Sequence, residues 1–114
     1  MKLIIAIIRP EKLDAVQAAL NEKEVYLMTV SDVRGCGRQR GFTETYRGSE
    51  VVIRLLSKVK LEIAVNESFV EPTIEAIQKT AYSGNIGDGK IFVLSLDECV
   101  RIRTGERGGK AIGP

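Results

Sequence analysis

Histidine and tryptophan are absent from this chain, and cysteine, methionine, phenylalanine and tyrosine are scarce. Without histidine the common Ser-His and Cys-His nucleophile pairs cannot be assembled, and a zinc site loses its usual nitrogen ligand. Cys36 and Cys99 could pair in principle, but neither has a metal-ligand partner nearby and free thiols are the default. No apolar run approaches the length of a membrane span. Met1-Lys2 leads directly into a short strand-like segment with no cleavage-site pattern, so a cytoplasmic protein is expected. A net charge of +2 is too small to argue for nucleic acid.

What is present fits one globular domain spanning residues 1–114. A chain of 114 residues with 44% hydrophobic content can bury roughly two thirds of its unfolded surface. Its positive charge is unevenly placed. Between residues 34 and 60 stand seven cations (Arg34, Arg38, Arg40, Arg47, Arg54, Lys58, Lys60) against two acids, Glu44 and Glu50. That segment should attract anions.

The most informative stretch is Ser83-Gly84-Asn85-Ile86-Gly87-Asp88-Gly89-Lys90. Its glycines allow positive φ and bare N–H groups that can face an anion, while Lys90 sets a cation at the mouth of a strand. Asp88 can order the turn. Gly-Asp-Gly is also an ordinary tight turn, so phosphate binding does not follow from it alone. A second loop of the same kind, Arg34-Gly35-Cys36-Gly37-Arg38-Gln39-Arg40-Gly41, points to one polyanionic ligand held from two sides.

Hydrophobic periodicity divides the chain into two similar halves. Leu3–Ile8 is an apolar strand, Pro10 opens a helix with Leu13, Val16 and Leu20 along its buried stripe, and Val25–Val33 is a second strand. Val59–Val65 alternates as a third strand. Ser68 and Glu71 have capping-box spacing for a helix with Val70, Ile74, Ile77 and Ala81 on one face, although Pro72 blurs its start. Ile91–Leu96 is a fourth strand, and Val100–Arg103 is a candidate short fifth. The order β-α-β-β-α-β predicts an α+β, ferredoxin-like fold. Both helices of such a fold cover one face of the sheet, yet the first and fourth strands are apolar at nearly every position. The other face should therefore be an interface between copies, unless the C-terminal segment folds back over it. Residues 37–54 carry no sustained apolar periodicity and form a long loop between strands two and three, either a soluble hairpin or, with Tyr46 and Arg47 at its tip, a partner-binding element.

Several linked motifs spread over essentially the whole chain resemble the PII nitrogen-regulatory signal-transduction family. They are Ile7-Ile8-Arg9-Pro10, Met28-Thr29-Val30, Gly35-Cys36-Gly37-Arg38-Gln39, residues 43–50 (Thr-Glu-Thr-Tyr-Arg-Gly-Ser-Glu), Lys58-Val59-Lys60, residues 84–92, and Arg101-Ile102-Arg103-Thr104-Gly105. The resemblance implies a homotrimer in which ATP and ADP compete for clefts between subunits. Ile7, Gly35, Cys36, Gly37, Arg38, Gln39, Gly87, Asp88, Gly89 and Lys90 would face the nucleotide from one chain. Thr29, Glu62, Ala64, Arg101 and Arg103 would approach from the adjacent one. Arginine suits bidentate binding of phosphate oxygens. The resemblance further implies Mg²⁺ on ATP with Gln39 as its protein ligand, and 2-oxoglutarate chelating that metal while pairing with Lys58 and Arg9.

Engaging Gln39 at the root of the loop would bias the loop's conformation. In relatives that control ammonium channels, the loop arginine matching Arg47 blocks the channel's cytoplasmic mouth, so recruitment to the inner membrane face through a transporter is expected. A nitrogen-assimilation enzyme is the alternative target. An RNA-recognition domain shares this strand order but stacks bases on aromatics of its central strands, and Leu3–Ile8 and Val59–Val65 contain none. An acylphosphatase-like hydrolase could cradle phosphoryl oxygens with Arg38 and Asn85, but no nucleophile or general base accompanies them. The protein is read as a regulator and not an enzyme, even if ATP is cleaved slowly. Many bacterial relatives carry a uridylylated tyrosine directly after the Arg-Gly-Ser/Ala-Glu run; here that position is Val51, so signalling through ligands alone is expected.

Overall fold

The computed structural model describes residues 1–36 and 55–113. Seven regular elements follow one another: β1 (Lys2–Ile8), α1 (Leu13–Glu22), β2 (Thr29–Gly35), β3 (Leu56–Val65), α2 (Val70–Ala81), β4 (Lys90–Ser95) and a single helical turn, α3 (Gly109–Ile112). The strands form one sheet in the order β2-β3-β1-β4, with every neighbouring pair antiparallel. This is the α+β arrangement expected from the β-α-β-β-α-β order and is compatible with the ferredoxin-like fold. The loop boundary at residues 37–54 lies outside the described residues.

Alternation along the strands decides what is buried. Ile4, Ala6 and Ile8 of β1, with Val59, Leu61, Ile63 and Val65 of β3, are almost completely excluded from solvent. They pack with Val16 and Leu20 of α1 and Ile77 of α2. Each of the valine, leucine and isoleucine side chains among them is worth about 1.5–3 kcal/mol when fully buried. Leu13, Val70 and Ile74 flank this core as half-buried side chains, and Ala81 closes its end.

The opposite face of the sheet is only partly shielded. The register places Leu3 beside Ala64 and Leu94, and Ile5 beside Glu62 and Phe92. Phe92 and Leu94 remain 49% and 46% exposed, so the C-terminal segment does not cover them. The expected apolar second face is therefore present within the single chain.

Local boundaries depart from expectation where turn geometry overrides hydrophobic pattern. The second strand begins at Thr29, not Val25. The Val25 N–H donates to the Leu20 carbonyl at 2.9 Å as the chain leaves α1 through a left-handed Glu24, and Val25 is buried before the strand starts. Pro10 opens a 3-10 turn, Pro10–Lys12, that leads into α1. The Ser68 capping box does not form, because Ser68 lies inside a second 3-10 turn, Glu67–Phe69, closed by Phe69 N–H on Asn66 O at 2.9 Å. Pro72 sits in the first turn of α2, where its missing N–H costs nothing. The proposed fifth strand reduces to one bridge, Val100 to Arg107. The chain reverses at once through a turn in which Gly105 N–H reaches Arg101 O at 2.8 Å. Beyond it the unanticipated α3 is tied down by Asn66, whose amide donates to the carbonyls of Gly109 (3.2 Å) and Gly113 (3.1 Å).

Thr73 of α2 is fully buried, and its hydroxyl finds no hydrogen-bond partner among the described residues. A buried unsatisfied hydroxyl costs free energy that a methyl of the same shape does not. Thr73→Val should therefore stabilise the fold by about 1 kcal/mol, read as a higher urea midpoint; a lower midpoint would show that the hydroxyl is satisfied in solution.

Candidate functional site

The glycine-rich turn connects α2 to β4 and bends over the end of β1. Gly84, Gly87 and Gly89 adopt φ of 88°, 106° and 103°, a region L side chains rarely enter. At Gly89 the requirement is also spatial: a Cβ would lie 1.7 Å from the Ile7 carbonyl oxygen. Glycine there is what lets the turn sit directly against β1.

Asp88 organises the turn from its centre. Its Oδ2 accepts the Ser83 N–H at 2.8 Å and the Gly84 N–H at 2.9 Å, and its Oδ1 accepts the Ser83 hydroxyl. Arg9, one residue past β1, donates Nε to Oδ1 at 3.2 Å and Nη2 to the Ile86 carbonyl at 3.0 Å. From β3, Lys58 Nζ donates to the Gly87 carbonyl at 2.7 Å. The Ser83 hydroxyl and N–H, with Gly84 and Arg9, hold the Asp88 carboxyl well below the usual carboxylate range. Partial burial and the nearby Arg9 charge lower the Lys58 ammonium, while Glu11 and Asp88 oppose that shift.

Two open clefts flank this cluster. One, of about 270 Å³, lies between α2 and the β1–β4 edge and is lined by Ile7, Gln78, Tyr82, Asp88, Gly89 and Lys90, among others. The other, of about 390 Å³, lies by the ends of β2 and β3 and is lined by Pro10, Asp32, Val33, Arg34, Ser57 and Lys58.

The structure brings together Ile7, Arg9, Lys58, Gly87, Asp88, Gly89 and Lys90 at one end of the sheet. Thr29 pairs with Glu62 one row further along the open face, Ala64 lies beyond it, and Glu62 meets Lys60 at 4.0 Å. Gly35 ends β2, with Cys36 exposed just after it. Gly37, Arg38, Gln39, Tyr46 and Arg47 lie outside the described residues. Arg101 and Arg103 are not gathered with the turn. β4 runs from Lys90, opposite Ile7, to Ser95, opposite Lys2, and so carries the chain away. Arg101 is engaged there by Glu106 at 2.8 Å and by the carbonyls of Lys110 and Ala111, near the Asn66-tethered tail. Arg103 is exposed on the adjoining turn. Glu106 is an organising residue that the sequence pattern did not single out, and Ser83 was named within the glycine-rich stretch without a role of its own. The Ser-Gly pair five residues ahead of Asp88 was the available signal for Ser83.

Arg9, Lys58 and Lys90 gather cationic charge at the turn beside a cleft, chemistry suited to an anion. No cluster of three or more acidic or cysteine side chains fit for a metal occurs among the described residues. Mg²⁺, which keeps water and phosphate oxygens as most of its ligands, does not require such a cluster. No helix among the described residues is long and apolar enough to cross a membrane.

The fold is an α+β domain compatible with the ferredoxin-like arrangement, with a glycine-rich turn packed against β1. Residues 1–106 match the family described as nitrogen regulatory protein P-II. Among curated relatives, the nitrogen regulatory protein P-II of Azospirillum brasilense is 56% identical over 112 residues, covering 98% of this chain and all of that protein. Nitrogen regulatory protein P-II 2 of Methanothermobacter thermautotrophicus is 56% identical, covering 98% and 97% of the two chains. Nitrogen regulatory protein GlnK1 of Methanosarcina mazei is 54% identical, with the same coverage. The chain belongs to the P-II family of nitrogen regulatory proteins.

The Asp88 carboxyl is more acidic in the folded protein than in the unfolded chain. Its stabilising contribution is complete above the ordinary aspartate pKa of about 3.9 and is lost as pH falls from there towards the lowered folded value. The stability gap between wild type and Asp88→Asn should therefore be widest above about pH 5 and should narrow below about pH 4. Urea unfolding at a series of pH values measures it; a gap that widens on acidification would contradict the assignment.

Proposed function

We propose that this chain is a nitrogen-status signal transducer. It senses ATP, ADP and 2-oxoglutarate and regulates an ammonium transporter through the loop at residues 37–54. Membership of a regulatory family over nearly the full chain supports this reading. The single structural observation that carries it is the convergence of Arg9, Lys58 and Asp88 on the turn that ends in Lys90.

In this reading the protein is a homotrimer with its partly exposed sheet faces turned inward. That packing removes Leu3, Ile5, Phe92 and Leu94 from water. It also accounts for Arg101 and Arg103, which stand at the far end of their own sheet and would serve the site of a neighbouring copy. The phosphates lie against Gly87, Asp88, Gly89 and Lys90, with Arg38 closing from the loop root. Bound Mg²⁺ would neutralise the phosphates and anchor 2-oxoglutarate; Gln39 would hold it, and Lys58 would pair with the effector's second carboxylate. ADP lacks the γ-phosphate oxygen, so the two nucleotides favour different loop arrangements. Tyr46 and Arg47 at the loop tip engage the transporter, which recruits a cytoplasmic protein to the inner membrane face. No step requires the protein to act as an enzyme.

Sedimentation should give a trimer at micromolar concentration; a stable monomer would overturn the assembly. Calorimetry should show tight 2-oxoglutarate binding with Mg-ATP and at least ten-fold weaker binding (about 1.4 kcal/mol) with Mg-ADP or in Gln39→Ala. Equal binding in all three settings would contradict the metal-anchored mechanism.

A further inference from the structure

We propose that Asn66 and Glu106 are positioning residues for Arg101: acting through the C-terminal turn α3 and the hairpin before it, they hold its guanidinium still for an anion carried by a neighbouring copy. The anion rests on the nucleotide reading above, whereas the clasp rests on contacts within the single chain.

Beyond β4 the described chain buries little. From residue 97 to residue 113 only Ile112 is buried, so polar contacts decide whether this segment keeps its shape. Its single helical turn, α3, is too short to satisfy its own carbonyls. Two side chains do so instead. Asn66, just after β3, donates Nδ2 to the Gly109 carbonyl at 3.2 Å and to the Gly113 carbonyl at 3.1 Å. Gly109 suits this approach because it lacks a side chain: a Cβ there would lie 3.0 Å from Asn66 Oδ1. Arg101 donates Nη2 to two carbonyls in between, Lys110 O at 3.3 Å and Ala111 O at 3.2 Å.

Glu106 fixes the same arginine from the hairpin. Its Oε1 accepts Arg101 Nη1 at 2.8 Å and the Thr104 hydroxyl at 2.9 Å, and its carbonyl accepts the Arg101 N–H at 2.9 Å. Main chain and guanidinium are thus both tied. A guanidinium has five N–H donors, and these contacts leave Nε and one Nη1 hydrogen without an acceptor among the described residues. With 37% of the side chain exposed, those donors can meet an anion while the clasp stays closed. An arginine already held has less freedom to lose on binding than Arg103, whose side chain makes no hydrogen bond or ion pair among the described residues. The Glu106 charge by itself opposes an anion at Arg101. That carboxylate is 42% exposed, so water and salt screen its charge, and the order it imposes outweighs the repulsion.

Hydrogen exchange on the ligand-free protein tests the clasp. The Ala111 and Gly113 amides, bonded to Gly108 O and Gly109 O, should be protected, and Asn66→Ala or Arg101→Ala should speed their exchange about five-fold. Arg103→Ala should leave them unaltered, and amides of β1 and β3 should hold steady in every variant. Asn66→Asp, which removes both donors at constant shape, carries the exchange test if the alanine variant does not fold. Calorimetry with Mg-ATP tests the consequence. Asn66→Ala and Glu106→Ala should each weaken binding about three- to ten-fold, and Glu106→Gln, which keeps an acceptor oxygen, should recover about half of that loss or more on a logarithmic scale. In the Arg101→Ala background each alanine variant should cost less than about two-fold, because both act through Arg101. Unprotected Ala111 and Gly113 amides in the wild type, unaltered exchange in Asn66→Ala, tighter ATP binding in Glu106→Ala, no recovery by glutamine, or losses that persist without Arg101 would each overturn the proposal. A wild-type protein that binds no ATP would overturn the functional reading and the ligand half of this inference, while exchange decides the clasp independently.

Discussion

The carboxylate of Asp88 is the contact on which the glycine-turn end of this molecule depends. It gathers the Ser83 hydroxyl, the Ser83 and Gly84 amides, and the Arg9 guanidinium. Those donors come from the end of α2, from the turn itself and from the end of β1. One side chain thus fastens a glycine-rich segment, which has the greatest entropy to lose on ordering, to the central strand of the sheet. The near contact of Gly89 with the Ile7 carbonyl shows how closely the two are joined.

Such a turn needs a rigid base, and β1 supplies it. β1 pairs with β3 on one side and β4 on the other, so its alternate side chains enter the core without leaving a free backbone edge. Ile4, Ala6 and Ile8 face the helices, and Leu3, Ile5 and Ile7 take the open face. The same strand therefore serves the core, the apolar outer face and, through Arg9 just beyond it, the end that carries the glycine-rich turn. This division follows from the two-residue period of a strand.

Much of this could be read from the sequence because it is local or periodic. The apolar run of β1, the alternation of β3 and the helical spacing of Val16, Leu20 and Ile77 each carry a period that states which face is buried. The need for glycine at positions 84, 87 and 89 was legible for the same reason, as backbone conformation is encoded residue by residue. Turn geometry was less legible. Val25 looks like a strand residue, but Glu24 turns the chain first, and Ser68 has capping spacing but falls within a 3-10 turn. Long-range polar partners left almost no trace. Arg9 and Asp88 are 79 residues apart, and nothing in either neighbourhood announces that they meet. The tie between Asn66 and the C-terminal turn is hidden likewise, since a single amide serves two carbonyls about 45 residues away.

The anchoring of the C-terminal turn has a consequence for engineering this protein. Met1 N lies 3.4 Å from the Glu67 carboxylate, and Gly113 O lies 3.1 Å from the amide of the adjacent Asn66. Both ends of the described chain therefore converge at the edge of the sheet remote from the glycine turn. A short linker joining them would leave the fold undisturbed and allow new termini to be opened elsewhere on the surface.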